Sequence, residues 1–115
     1  KQTTLMIRNI PIKFTQEELL ELVNENFEAQ FTTFTFQKQQ DLVGVGFAFI
    51  NFVDALYIVE FFLQFNCIKW SDKIQKCNSN KYCDITYANV QGLEEIKNEL
   101  ADKNIMKKIE GTKGP

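Results

Sequence analysis

Apolar positions along the chain recur with two periods, and the changes of period mark the elements. Residues 4–10 (TLMIRNI) are mostly apolar, stop at Pro11 and predict a short strand. Thr15 followed by Glu18 forms a capping box, after which Leu19, Leu22, Val23 and Phe27 recur at helical spacing, so a helix starts here with its glutamates turned to water. Residues 31–37 (FTTFTFQ) are aromatic and β-branched and predict a second strand. A polar loop at 38–42 leads into Gly44-Val45-Gly46, and residues 47–52 (FAFINF) are the strongest strand signal in the chain. Asp54 is placed to cap a second helix, whose buried face is Ile58, Phe61, Phe62 and Phe65. Residues 66–80 are polar and lysine-bearing around Trp70; they read as a long loop with room for a short hairpin, Trp70 packing it onto the domain. Residues 82–87 (YCDITY) alternate and give the last strand, with Cys83, Ile85 and Tyr87 inward. Beyond Gly92, Leu93, Ile96 and Leu100 line one side of a third helix, and residues 110–115 (EGTKGP) form an unstructured tail.

The order is β-α-β-β-α-β and then a helix. That is an α+β, ferredoxin-like arrangement: a four-stranded antiparallel sheet, two helices on one face, an extra C-terminal helix, and the other face open. The 115 residues suffice for one domain, spanning 1–109 with its last helix over about 91–109. The chain begins at Lys1 and not at Met, and reads as a piece of a longer protein.

Composition narrows the chemistry. Hydrophobic residues at 44% and charged residues at 24% are those of a folded globular domain, not of a disordered or collagen-like chain. No apolar run reaches the roughly 18 residues of a membrane span. There is no histidine, which removes the commonest general base and the commonest metal ligand. Cys67, Cys77 and Cys83 form no CxxC pair and are one ligand short of a zinc site, so reduced intracellular thiols are expected. Gly44-Val45-Gly46 lacks the GK[ST] of a phosphate loop, and Glu17 and Glu18 sit where the helix dipole favours acids. No enzyme, cofactor, metal or small-molecule substrate is expected. The net charge of −2 is unevenly spread: residues 1–13 carry Lys1, Arg8 and Lys13 without an acid, whereas 14–31 carry Glu17, Glu18, Glu21, Glu25 and Glu28 without a base. Such segregation can leave one face positive on an acidic protein.

Alternation in the third strand carries the functional reading. Ala48, Ile50 and Phe52 point one way and suit packing under helices, while Phe47, Phe49 and Asn51 point the other way. Two rings left in water would each forgo about 1.5–3 kcal/mol of burial, so something should cover them. Phenyl rings on an open sheet are a platform for unpaired bases, each stack contributing roughly 1–3 kcal/mol.

The octamer Val45-Gly46-Phe47-Ala48-Phe49-Ile50-Asn51-Phe52 resembles that of the RNA recognition motif (RRM), and Leu5-Met6-Ile7-Arg8-Asn9-Ile10 resembles its companion hexamer. Asn9-Ile10-Pro11, Lys13-Phe14-Thr15, Lys69-Trp70, the stretch Cys83-Asp84-Ile85-Thr86-Tyr87-Ala88, and Gln91-Gly92 extend the resemblance to the C-terminal RRM of the Mei-two-like proteins, RNA-binding regulators of meiosis and differentiation. The resemblance implies single-stranded RNA as partner, stacked on Phe47 and Phe49. It puts Met6 at the first-strand stacking position, where it offers no ring, and Val45 where a basic residue usually meets phosphate. Arg8, on the same face as Met6, could compensate. Lys13, Asn51, Asp84 and Thr86 complete the expected RNA-contacting set. The implied setting is intracellular, nuclear and/or cytoplasmic. The competing reading is a protein-interaction RRM, with a partner on the sheet or helical face. Met6, Val45 and the acidic balance favour it, and the paired Phe47 and Phe49 argue against it.

Overall fold

Strand β1 (Thr4–Pro11) has to place both Ile7 and Ile10 inward, although residues three apart on a regular strand face opposite sides. A bulge resolves the conflict. Ile7 pairs with Ala48 and Ile10 with Gly46, the register shifting between them, and Asn9 takes a left-handed conformation (φ 64°) that asparagine tolerates better than most residues. The computed structural model describes residues 2–38, 45–74 and 78–89, and among these it shows β1, α1 (Gln16–Phe27), β2 (Phe31–Lys38), β3 (Val45–Phe52), α2 (Leu56–Phe65), a single turn α3 (Trp70–Lys73) and β4 (Asp84–Tyr87). The strands form one antiparallel sheet in the order β2-β3-β1-β4, the expected ferredoxin-like topology. The expected third helix at about 91–109, the tail at 110–115 and Cys77 lie outside the described residues.

The capping box is formed: Glu18 N–H donates to the Thr15 hydroxyl at 3.1 Å, and Thr15 N–H donates to Glu18 Oε1 at 2.9 Å. The helix then buries Leu19, Leu22, Val23 and Phe27. All three helices deliver their buried side chains to one cluster, with Leu5, Ile7, Ala48, Ile50, Phe52 and Ile85 from the sheet. At its centre Phe27 meets Phe61 at 5.2 Å and Phe52 at 6.0 Å between ring centroids, and Phe52 meets Phe61 at 5.2 Å, all edge to face.

Several expectations are corrected. The cap of α2 is Ala55; Asp54 stands one residue earlier and accepts Leu56 N–H on Oδ1 at 2.8 Å, doing the same work from outside the helix. Phe62 is 41% exposed, because only the stripe of Ile58, Phe61 and Phe65 meets the sheet. Tyr87 is 55% exposed, since β4 is an edge strand and Tyr87 its last residue. The loop at 66–80 contains α3, and its Lys69 bridges to Tyr82; Trp70 packs this segment onto the domain as expected, sealed into the core beside Phe14, ring centroids 5.3 Å apart. Among the described residues no helix is long and apolar enough to cross a membrane.

The segment after α2 is tied to the approach to β4 by two backbone bonds of 2.7 Å: Cys67 N–H to the Cys83 carbonyl, and Cys83 N–H to the Ile68 carbonyl. Burial pushes the Cys83 thiol well above its ordinary value of 9.0, with the neighbouring Asp84 carboxylate adding to the effect. The folded state therefore keeps the neutral thiol, while the unfolded chain ionises it near the ordinary value. This contribution is fully present below that pH and declines above it, by at most about 1.4 kcal/mol per pH unit. Urea unfolding at about pH 8 and about pH 10 should show a larger loss at the alkaline end for the parent than for Cys83→Ala; equal losses would mean that the thiol is not held neutral.

Candidate nucleic-acid interface

The register places ten side chains on the sheet face opposite the helices. On β3 these are Phe47, Phe49 and Asn51. Met6 lies across from Phe49 and Thr4 across from Asn51 on β1, while Thr35 lies across from Phe49 and Gln37 across from Phe47 on β2. Beyond β1, Thr86 pairs with Met6 and Asp84 with Arg8. Phe47, Phe49, Met6, Arg8, Asp84 and Thr86 thus come together on one surface, as the alternation requires. Lys13 is apart from them, exposed in the turn between β1 and α1.

The rings are on the expected side but are not in water. Phe47 is 4% and Phe49 9% exposed, yet neither belongs to the helix-side cluster. They pack edge to face, centroids 5.5 Å apart at 83°. The expectation of an open aromatic surface is corrected here: two adjacent benzyl groups are covered in the chain without any partner bound, as their cost of exposure favours. Gln37 beside Phe47 is buried too.

Asn51 is committed within the protein. The hydroxyls of Thr3 and Thr4 donate to its Oδ1 at 2.8 and 2.6 Å, and its Nδ2 donates to Thr32 Oγ1 at 2.9 Å. The Thr32 hydroxyl also donates to the Asn51 carbonyl at 3.3 Å. One amide therefore fastens β1, β3 and β2 together at one end of the sheet, where β2 shifts register between Phe31 and Thr33. Arg8 is paired as well: Nη1 lies 3.5 Å from Asp84 Oδ2, both side chains about half exposed, a geometry that adds little to stability but offsets the charge of Arg8. Among the described residues no group of His, Cys, Asp and Glu could hold a metal ion.

Sequence reasoning missed Thr33, Thr35 and Gln37, which the alternation of Phe34 and Phe36 with polar residues in β2 would have shown. It also missed the threonines around Asn51, whose gathering depends on cross-strand register.

With the geometry in place, comparison with known proteins is informative. The family model of RNA recognition motif 2 matches residues 2–102. Protein MEI2-like 5 of Oryza sativa subsp. japonica is 38% identical over 106 residues, covering 91% of this chain and 13% of that protein. Protein MEI2-like 1 of Arabidopsis thaliana is 34% identical over 110 residues, covering 92% and 11%. The chain thus spans about an eighth or less of the length of these relatives. Among solved structures, the Rna15 RRM with bound RNA (GU) superposes with a TM-score of 0.60 at 14% identity, over 90% of this chain and 100% of that one. The MEC-8 C-terminal RRM bound to AGCACA gives 0.57 at 19% identity, over 79% and 95%. These structural likenesses establish the fold.

Replacing Asn51 by Ala removes the shared acceptor and the donor that join the three strands. At about 0.5–1.5 kcal/mol net per hydrogen bond, unfolding free energy should fall by about 2 kcal/mol. Asn51→Asp keeps the acceptor and should cost less; chemical denaturation of both would measure it, and an Ala variant as stable as the parent would remove Asn51 from this role.

Proposed function

Because the chain belongs to the RNA recognition motif 2 family, we propose that it binds single-stranded RNA on the helix-free side of its sheet, with Phe47 and Phe49 as the stacking platform. The observation that carries this reading is the position of the two rings: adjacent on a central strand, on the face away from the helices, and outside the hydrophobic cluster that holds the fold together. Phenyl rings set this way accept bases of any identity, because every base has a π-face.

Stacking here requires that the cover over Phe47 and Phe49 be displaced, so RNA affinity is the stacking energy less the cost of uncovering. Met6 lies next to Phe49 and extends the apolar surface. Thr35 and Thr86 offer hydroxyl groups to base edges around it, while Asp84 holds Arg8. Asn51 serves by holding the strands in register. Phosphate contacts are few: Lys13 from the loop, and Arg8 once its bond to Asp84 is shared or broken. We place the domain inside the cell, nuclear and/or cytoplasmic, on its family, and assign it binding and not catalysis.

The two rings are buried, so Ala substitutions would confound binding with folding. Leu at both positions keeps apolar volume and removes the π-face. Phe47→Leu/Phe49→Leu should retain cooperative unfolding and weaken binding to short single-stranded RNAs by about 10-fold to 100-fold, one or more stacks at roughly 1–3 kcal/mol each. A folded double variant that binds RNA as the parent does would refute stacking at these rings.

The salt dependence of binding should be shallow, matching about two or three phosphates. Asp84→Asn frees Arg8 and should steepen the slope by somewhat under one and tighten binding. Weaker binding in this variant would instead make Asp84 a reader of base edges, and a parental slope of about six or more phosphates would overturn this electrostatic assignment.

A further inference from the structure

The helix-free face of the sheet is covered unevenly. Phe47, Phe49, Gln37 and Thr4 are buried, whereas Met6, Thr35 and Thr86 are half-buried and Arg8 is exposed. The buried side chains trace a line across the sheet. It starts at Thr4, opposite Asn51 at one end of β1, passes Phe49 and finishes at Phe47 and Gln37. Side chains stand roughly perpendicular to a sheet, so the outer edge of a ring is shielded only by something lying across it. The described helices deliver their buried side chains to the other face.

The line begins where the chain leaves the sheet. Ala88 N–H donates to the Thr4 carbonyl at 3.1 Å, and Ala88 is itself buried. Residues 90–115 continue from this corner. Four extended residues from Asn89 to Leu93 reach about 14 Å, and β4 stands two strand spacings, about 9.5 Å, from β3. Leu93, Ile96 and Leu100 share one side at helical spacing, over about 10.5 Å of helix, which is enough to lie along rings two strand residues, about 6.6 Å, apart. The match to the family model runs on to residue 102, so these residues belong with the domain. The groove between α2 and β4 opens near the same corner, but its Val59, Leu63 and Tyr87 are exposed, so it is not the place this segment fills.

We propose that residues 93–100 lie across Phe47 and Phe49, apolar side chains on the rings, and, resting on the RNA-binding reading above, that RNA must displace them in order to stack. Residues 93–102 carry Glu94, Glu95, Glu99 and Asp102 against Lys97 alone, so the seated segment also repels phosphate. Apparent RNA affinity is then the intrinsic affinity scaled by the fraction of molecules whose rings are uncovered.

The test uses the whole chain. Without RNA, NMR should show NOEs joining methyl protons of Leu93, Ile96 or Leu100 to ring protons of Phe47 and Phe49. A single-stranded RNA of about eight nucleotides should abolish these NOEs and shift the amides of residues 93–100. Ile96→Asn/Leu100→Asn keeps the charge and removes the apolar contact. It should retain cooperative unfolding and tighten RNA binding about tenfold. Should the double variant unfold, the NOEs of the parent chain still decide. Rings that give NOEs to residues 39–44 or to a second copy, and none to 93–100, would overturn the proposal. So would RNA that binds while the NOEs persist, or a folded double variant with parental affinity. Intact NOEs with no RNA binding by either chain would uphold the cover and reject the RNA-binding reading instead.

Discussion

Alternation on β3 divides the domain into two apolar systems that share a backbone and nothing else. Ala48, Ile50 and Phe52 go to the helices, and Phe52 locks with Phe27 and Phe61. Phe47 and Phe49 go to the other side and pack edge to face against each other. A slip of one residue would exchange the two sets and put Asn51 into the core, so the register decides which rings meet the helices. The first set gives the fold its stability. The second set lies outside the helix-side cluster.

Holding that register takes irregularities. β1 must bring Ile7 and Ile10 inward and β2 must bring Phe31 and Phe34 inward, and each strand meets the demand with a shift against β3. At one end of β3 Asn51 gathers the hydroxyls of Thr3, Thr4 and Thr32, and toward the other Asn9 absorbs the β1 bulge. The polar residues of this face are thus divided in labour. Asn51 is spent on the sheet, Arg8 and Asp84 on each other, and Thr35 and Thr86 stand beside the rings.

The two faces also differ in electrostatics. The long helices hold glutamates without a counter-cation, while Arg8 and Lys13 belong to β1 and the turn after it. The glutamates of α1 and α2 lie on the layer away from the aromatic face, where Asp84 is bonded to Arg8. The outward side of α2, with Leu56, Val59 and Leu63, is an exposed apolar strip.

Much of this was written locally. The capping box of Thr15 and Glu18, the helical spacing from Leu19 to Phe27 and the alternation of FAFINF each depend on residues within a few positions, and each was legible as such. The order of elements then leaves few ways to build a sheet, so topology and the shared face of Met6, Arg8, Phe47, Phe49, Asp84 and Thr86 followed. What the sequence could not contain was how far each side chain is covered. Phe62 and Tyr87 have the residue types of a core and are exposed, and Phe47 and Phe49 stand on the side away from the helices and are buried. The partners of Asn51 and of Arg8 come from residues up to 48 and 76 positions away. Burial and long-range pairing are set by what the completed fold brings against each surface, and no local pattern encodes that.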